Sequence, residues 1–315
     1  MGNGGVTNAR PLIGLRVGVS VGESDDLRQR GFTSAAMNRL TVRLTSALLA
    51  RGAVLAFGHD WRQQGVMEAV CRAALDSFGY PGKDDPRPLI FNLIPWPDRT
   101  EVPEEILRRL PGVLAIEKAG LPSELRDRGA EPDRIDPEAR RYLRARGLTC
   151  LRHGLTAVSG ARICLGGRER SFQGRYPGIL EEALFALEAG QPIYLVGLLG
   201  GAALTVGRTI LDGEPWPEGF GEAAFAQPEN GARPLADLYE EERSWQPFRG
   251  RPWPVSLDAC EPDLQGIWRL ARDLGADRLL QNGLSPEENH RLLETASEEE
   301  ALHLVMTGLL RVFPR

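Results

Sequence analysis

The segment from residue 161 to residue 201 constrains the fold of this chain more than any other. It begins with a short apolar run, Ala161 to Leu165, which is typical of a buried strand. A glycine pair follows, and Pro177-Gly178 then opens a stretch whose apolar residues recur at helical spacing. A second apolar run, Ile193 to Val196, predicts another strand. Strand, helix and strand in this order predict a parallel βαβ unit, because parallel strands need a crossover connection between them.

The N-terminal third of the chain repeats this alternation. Short apolar runs predict strands over residues 15–21, 53–57 and 89–94, and helical periodicity predicts helices over residues 34–49 and 65–78. Strands that alternate with helices predict an α/β fold with a Rossmann-like, doubly wound parallel sheet. In such a sheet, ligands bind at the carboxyl edge of the strands.

The rest of the chain is predicted to cover and extend this sheet. Residues 122–146 are rich in Arg, Asp and Glu, and we expect solvated helices there. A separate helix is expected over residues 151–159, before the strand that begins at residue 161. Residues 212–254 are rich in Gly, Pro, Glu and Trp without clear periodicity, which predicts long loops and short helices. Near the C-terminus, Ser285 and Pro286 are typical of a capped helix start, and a last apolar helix is expected over residues 298–310.

Composition limits the classes of protein to which this chain can belong. The 315 residues are 42% hydrophobic, which is enough for a sizeable core. No apolar run reaches the length of a membrane span and the N-terminus lacks an apolar leader, so we expect a cytoplasmic protein without membrane contact. A net charge of −5 disfavours a polynucleotide partner. The four cysteines are scattered, which predicts reduced thiols and neither a disulfide framework nor a metal site.

Glycine turns at the ends of the predicted strands indicate an anion site. Gly166-Gly167 ends one strand and is followed at once by Arg168, while Gly178 lies in the first turn of the next helix. Glycine lets backbone N–H groups approach a ligand closely, and a helix N-terminus favours negative charge. Gly22 holds the corresponding place after the first strand. We therefore predict a phosphate-binding edge on the sheet.

Several catalytic and cofactor motifs are absent from the sequence. It has no HExxH, EF-hand or GxxxxGK[ST] motif, which disfavours zinc proteases, calcium sites and P-loop enzymes. A GxGxxG turn would lie at the end of the first predicted strand, but Gly18 within that strand and Gly22 after it have no third glycine at the correct spacing. A dinucleotide-dependent dehydrogenase is therefore disfavoured.

The order of the motifs resembles the SLOG superfamily. That group includes Lonely-guy nucleotide phosphoribohydrolases, DprA/Smf proteins, the sensor domains of melastatin channels and those of Thoeris-type antiphage effectors. The chain is most similar to the Thoeris-type sensors, over residues 14–310. The motifs that carry the resemblance are Arg152, Gly166-Gly167-Arg168, Pro177-Gly178 with Glu181-Glu182, and Asn282-Gly283-Leu284.

The resemblance implies roles for four side chains. Arg152 matches an arginine that contacts the phosphate or ribose of the ligand, and Arg168 matches a basic residue that is often lysine in relatives. Glu181 or Glu182 matches an acid that assists cleavage of an N-glycosidic bond in the hydrolases and would bind ribose hydroxyls in the sensors. Lonely-guy hydrolases have a compact glycine loop, whereas this chain inserts residues 168–176, which disfavours hydrolytic geometry.

The predicted ligand-binding residues lie at strand ends or helix starts, or they match a ligand-binding residue of the superfamily. They are Ser20, Gly22, Glu23, Gly58, His59, Arg152, Gly166, Gly167, Arg168, Gly178, Glu181, Glu182 and Gly200. If the protein is an enzyme, the expected catalytic groups are Glu181, Glu182 and Arg152.

The resemblance also implies a division of the chain and a class of ligand. We expect a tail over residues 1–13, a SLOG-like nucleotide-binding domain over residues 14–212, and a loop-rich and helical extension over residues 213–315 packed on the same domain. The expected ligand is a nucleotide-derived small molecule, such as a cyclic ADP-ribose isomer or another ADP-ribose derivative, with no cofactor required. A homo-oligomer or an effector protein would then transmit the signal.

Other interpretations remain open at this point. The rival function is a nucleotide N-glycosidase or phosphoribohydrolase of the Lonely-guy type. In a third interpretation, the domain is a scaffold whose pocket is filled by its own side chains. Structural explanations also exist for single residues, since Arg152 can be an ordinary ion-pair partner, and Glu181 and Glu182 lie where acids favour the helix dipole.

Overall fold

The computed structural model describes residues 10–59, 61, 65–80, 87–96, 104–119, 137–174, 176–217, 266 and 269–314. Most of the predicted tail, most of the polar insert, and the greater part of the predicted loop-rich stretch lie outside these ranges.

The described strands form one parallel sheet. They are β1 (Arg16–Gly22), β2 (Val54–Gly58), β3 (Ile90–Ile94), β4 (Leu114–Lys118), β5 (Ala161–Gly166) and β6 (Ile193–Val196). Their order across the sheet is β4-β3-β2-β1-β5-β6, and every neighbouring pair is parallel. The chain therefore runs from β1 to β4 in one direction and returns to the other side of β1 with β5. This topology confirms the prediction of an α/β, Rossmann-like sheet.

Helices connect the strands and form the C-terminal region. They are α1 (Ser34–Ala50), α2 (Val66–Phe78), α3 (Glu104–Arg109), α4 (Pro137–Val158), α5 (Gly178–Glu188), α6 (Gly201–Leu211), α7 (Ala276–Leu280), α8 (Pro286–Glu294) and α9 (Glu298–Val312). Capping residues fix the start of several helices. Ala36 N donates to Thr33 Oγ1 at 3.2 Å before α1, and Ser285 with Glu288 forms a capping box at α8. No helix within the described ranges has both the length and the apolar composition needed to cross a membrane.

Different helices cover the two faces of the sheet. Val17 and Val19 of β1 lie in a hydrophobic core with α1, α2 and α9. Ile193 and Leu195 of β6 lie in a second core with α5 and α6, and α4 covers the same face over β2 and β3 through Leu151. The sheet is thus buried between two helical layers, which is the usual environment of an all-parallel sheet.

A buried asparagine fastens the C-terminal helices to the sheet. Asn282 Nδ2 donates to Ile193 O at 2.9 Å and to Asn289 Oδ1 at 2.8 Å. Tyr194 Oη donates to Asn282 O at 3.0 Å, and Leu284 N donates to Asn282 Oδ1 at 3.1 Å. The Asn-Gly-Leu motif therefore joins β6 to the start of α8.

Two features of the fold differ from the prediction. The prediction lacks α3 and β4. The signal for β4 is weak because it is a short edge strand whose side chains are half-buried or exposed. α4 is one continuous helix, where the prediction has a solvated insert up to residue 146 and a separate helix from residue 151. Ala145 and Arg146 are buried, so the expectation of a solvated insert is wrong at these residues.

Candidate functional site

The candidate site lies where the order of the strands reverses, between β1 and β5. Gly22 at the end of β1 is paired in register with Gly166 at the end of β5. In open parallel sheets, the crevice for a ligand forms at the carboxyl ends of the two strands that flank such a reversal. The structure therefore brings the predicted glycine turns at Gly22 and at Gly166-Gly167 together at the expected edge.

The backbone at this edge is bonded within the protein. Gly167 N donates to Gly22 O at 2.9 Å, and Ala202 N, in the first turn of α6, donates to Gly167 O at 3.0 Å. A Cβ at Gly167 would lie 2.8 Å from Cδ1 of Ile179 in α5. The glycine pair thus lets three chain segments approach one another. The N–H of Gly167 is directed to the backbone of β1, whereas the sequence predicts that it faces a ligand.

Glu181 is a buried partner of α4. Its side chain is 1% exposed. Its Oε1 accepts a hydrogen bond from Thr149 Oγ1 at 2.7 Å, and its Oε2 accepts one from Arg152 Nη1. Because both carboxylate oxygens have donors from α4, this pair joins α4 to α5 and leaves little of Glu181 for a ligand.

The guanidinium of Arg152 lies beneath the start of α5. Cβ atoms at Gly174 and Gly178 would lie 2.7 Å and 2.8 Å from its two terminal nitrogens, so both glycines leave space for it. A positive charge therefore lies beside the first-turn N–H groups of α5. An oxyanion that reached this corner would meet both the guanidinium and the helix N-terminus.

Glu182 contacts the strands. Its Oε2 accepts hydrogen bonds from Ser20 Oγ and, at 3.1 Å, from Arg162 Nη1. Ser20 and Arg162 are buried, whereas the Glu182 side chain is 14% exposed. Among the described residues, none donates a hydrogen bond to Glu182 Oε1, and Arg152 Nε lies 4.0 Å from it. This oxygen can accept a hydrogen bond from a ligand hydroxyl.

The charges of this inner cluster balance. Two guanidinium groups, of Arg152 and Arg162, face two carboxylates, of Glu181 and Glu182. The cluster therefore has no excess positive charge to attract phosphate, and such charge has to come from the rim of the site. Arg168 is exposed on this rim and forms no ion pair with any residue of the described ranges.

The loop between β1 and α1 brings acidic residues to the same rim. Glu169 N donates to Asp25 Oδ2 at 3.1 Å, and Asp26 pairs with Arg30 at 2.6 Å. Partial burial raises the pKa of the Asp26 carboxyl, but hydrogen bonding, above all from Arg30, outweighs it and brings the pKa below its usual value. A Cβ at Gly200 would overlap the Asp26–Arg30 pair. A ligand that approached Gly200 would have to displace that pair.

The other predicted residues lie around this cluster. Glu23 follows β1 and accepts a hydrogen bond from Ser34 Oγ at the start of α1. Gly58 ends β2, one strand away from Gly22 and Ser20, and its carbonyl accepts from Asn92 Nδ2 at 3.1 Å. His59 follows directly and is half-buried. These residues share the carboxyl edge with the cluster, and their contact with a ligand stays a prediction.

Arg162 and Thr149 belong to the cluster, but the sequence-based prediction lacks them. Arg162 stands alone as a charged residue in an apolar run, so the run is read as an ordinary buried strand. A signal exists in Gly18, which is paired in register with Arg162. A Cβ at Gly18 would lie 2.9 Å from Cζ of Arg162. A charged residue opposite a glycine in two adjacent apolar strands indicates a buried charge, which needs a partner.

A cavity of about 530 Å³ lies elsewhere, between α1 and α2. Small and polar residues line it, among them Ser34, Ala35, Ala69 and Arg72. Its size would suit a nucleotide. None of the predicted ligand-binding residues lines it, however, so we assign the candidate site to the strand ends, where buried charged groups converge. Within the described part of the chain, no group of three His, Cys, Asp or Glu side chains could hold a metal ion.

One comparison with known proteins agrees with this fold. The family model described as SLOG cluster2 matches residues 11–292. Comparison with curated proteins gives no significant match. The matched range contains all six described strands and the switch point between β1 and β5. The chain therefore belongs to the SLOG family, a group of Rossmann-like proteins with nucleotide-related functions.

Proposed function

We propose that this chain is a cytoplasmic sensor that binds a nucleotide-derived second messenger, such as a cyclic ADP-ribose isomer, at the ends of β1 and β5. One observation carries the proposal: Ser20, Arg152 and Glu182 converge at the switch point of a SLOG sheet. Polar groups that converge at such a point form the usual binding crevice of this architecture.

Each group suits one part of such a ligand. Glu182 Oε1 can accept a hydrogen bond from a ribose hydroxyl. Arg152 and the first turn of α5 offer donors to a phosphate or ribose oxygen. Arg168 adds a planar pair of donors at the rim, where a diphosphate would gain positive charge that the balanced inner cluster lacks.

The test is a thermal-shift assay with ADP-ribose, NAD and AMP. A ligand that binds the folded state stabilises it by about 2.7 kcal/mol at a hundredfold excess over Kd, which is a shift of several °C. We expect Arg168→Ala to remove most of this shift. The matched control is Arg108→Ala on α3, where the arginine is 77% exposed in the connection between β3 and β4. Calorimetry that detects no binding of ADP-ribose isomers, NAD or nucleoside monophosphates would contradict the proposal.

The rival function is a nucleotide N-glycosidase, and the position of Glu182 favours it over other enzyme classes. No described residue donates a hydrogen bond to Glu182 Oε1. A carboxylate that assists departure of a base needs such an oxygen available in the unliganded protein. Release of free base from a panel of nucleotides, abolished by Glu182→Gln, would support this rival. Binding without base release would support the sensor.

The setting follows from the resemblance to Thoeris-type sensors. We propose antiphage signalling, with output through a homo-oligomer or an effector partner. Sedimentation velocity with and without ADP-ribose tests the first route, and an unchanged sedimentation coefficient at saturating ligand would leave the effector route as the proposal. The absence of binding by any nucleotide would favour the third interpretation, a scaffold whose pocket is filled by its own side chains. In the structure, Ile179, Arg152 and Asp26 occupy the space next to the site glycines.

A further inference from the structure

Arg162 is a fully buried charge that the proposed ligand contacts do not use. Its side chain is 0% exposed, and it belongs to a strand whose neighbours Ile163 and Cys164 are also buried. Burial of a guanidinium is costly unless partners compensate for the lost water. The opposite residue, Gly18, has no side chain, and only this absence leaves space for the guanidinium.

The partners of Arg162 come from three different elements. Nη1 donates to Ser20 Oγ at 3.2 Å in β1 and to Glu182 Oε2 at 3.1 Å in α5. Nη2 donates to Thr156 Oγ1 at 3.1 Å in α4. The planar guanidinium therefore fixes the positions of its partners relative to one another, which the single ammonium of lysine could not do.

This arrangement fixes the orientation of the Glu182 carboxylate. Oε2 is occupied by Ser20 and Arg162, so Oε1 is the oxygen that remains for a ligand. A ribose presents two neighbouring hydroxyls as donors, whereas a 2′-deoxyribose presents one fewer. A site in which a partly buried carboxylate loses its hydrogen bond to a ligand hydroxyl discriminates by roughly tenfold.

We propose that Arg162 is a positioning residue, which holds Glu182 on Ser20 so that its free oxygen selects a ribose over a 2′-deoxyribose. The inference rests on the proposed function for its ligand class, and it extends that function by naming a sugar preference and the buried group that produces it.

The test compares Arg162→Lys and Arg162→Met with Thr156→Val. Thr156→Val disturbs the same guanidinium on Nη2, away from Glu182, and therefore controls for loss of packing and stability. Lysine keeps the charge and is the milder change if the methionine variant does not fold. Affinities for AMP and 2′-deoxyAMP are measured by calorimetry, and crystal structures without nucleotide locate the Glu182 carboxylate.

We expect the wild type and Thr156→Val to prefer AMP by roughly tenfold, and the Arg162 variants to lose this preference while they remain folded. The crystals should show the carboxylate displaced from Ser20 in the Arg162 variants. An unchanged affinity ratio, or a carboxylate that stays on Ser20 in both Arg162 variants, would overturn the inference, even if AMP binds. If no nucleotide binds the wild type, the proposed function and the sugar preference both fail, while the crystals still decide whether Arg162 positions Glu182.

Discussion

Gly201 has the left-handed backbone conformation and also lies against another chain segment. Its φ is +59°, and a Cβ there would overlap Gly167 O and lie 2.6 Å from Cβ of Ser24. Gly31 has a comparable φ of +83°, but nothing lies within 4 Å of the corresponding Cβ position. The two glycines therefore separate the cost of an unfavourable backbone conformation from the cost of a steric overlap.

We predict that Gly201→Ala destabilises the protein much more than Gly31→Ala. The control carries only the cost of a left-handed alanine, about 1 kcal/mol. Gly201→Ala adds an overlap with backbone atoms, which costs about 1–3 kcal/mol more. Urea unfolding of the two variants measures the difference. Equal losses of unfolding free energy would show that the contact between α6 and the Gly167 turn can relax.

The residues that carry charge in the site could be predicted from the sequence only in part. Arg152 and Glu182 could be predicted because their residue types and their spacing match a known superfamily. Which of the two adjacent acids faces the strands depends on the rotation of α5 against the sheet, since successive helical residues point about 100° apart. Glu181 thus contacts α4 while Glu182 contacts β1. Arg162 could not be assigned a partner because Glu182 is distant in the sequence.

The side chain of Asn282 supplies hydrogen bonds that join β6 to the start of α8, so we predict that Asn282→Ala loosens the C-terminal helices. The substitution leaves Ile193 O and Leu284 N buried without their partners, at a cost of about 1–3 kcal/mol for each. Urea unfolding should show the loss, and hydrogen exchange should show faster opening of α8 and α9. His303→Ala, an exposed position of α9, is the control. Equal exchange rates in the two variants would mean that apolar packing alone holds these helices.

A histidine also links α6 to α8. His290 Nδ1 lies 2.9 Å from Pro286 O, and Nε2 lies 3.1 Å from Asp212 Oδ1. Only the doubly protonated ring can donate to both acceptors. The hydrogen bond to Pro286 O raises the pKa of His290, partial burial opposes this, and Asp212, with Glu294 nearby, raises it further. The folded pKa therefore lies above that of the unfolded chain.

We predict that this link strengthens in mild acid. A raised folded pKa contributes stability that is fully present below the unfolded pKa and is lost as the pH rises through the folded pKa. The difference in Tm between the wild type and His290→Ala should therefore be larger near about pH 5.5 than near about pH 8.5. Asp212→Asn, which keeps the side-chain shape, should reduce this pH dependence. A difference that grows with pH would contradict the assignment.

Most helices and strands could be predicted because their signals are local, and α4 shows where local signals fail. The sequence predicts a polar insert up to residue 146 and a separate helix from residue 151, and Gly147 lies between the two. In the structure, a Cβ at Gly147 would overlap Trp96 O, and a Cβ at Gly154 would lie 3.0 Å from Leu93. Both glycines let a continuous helix pack closely on β3. That reason is a tertiary contact, and it has no counterpart in the sequence pattern.

The molecule is organised around one sheet that serves both as core and as scaffold for the site. The reversal between β1 and β5 places the site inside the sheet and away from its edge strands, with four strands on the β1 side of the reversal and two on the β5 side. α1, α2 and α9 cover one face, and α4, α5 and α6 cover the other. Because both layers pack on the same strands, neither can lose its packing without exposing the sheet to water.

We therefore predict that the two faces unfold together, and two buried cysteines report on them separately. Cys71 lies in the core with α1 and α2, and Cys164 lies in the core with α5 and α6. Burial raises the pKa of each thiol to about 12, so neither should react with a thiol reagent in the folded state near about pH 8. In variants that keep only one of these cysteines, with alanine at the other three, reactivity should appear at the same urea concentration. If one thiol becomes reactive at a clearly lower urea concentration, the layers open independently and the single-sheet account of cooperativity is wrong.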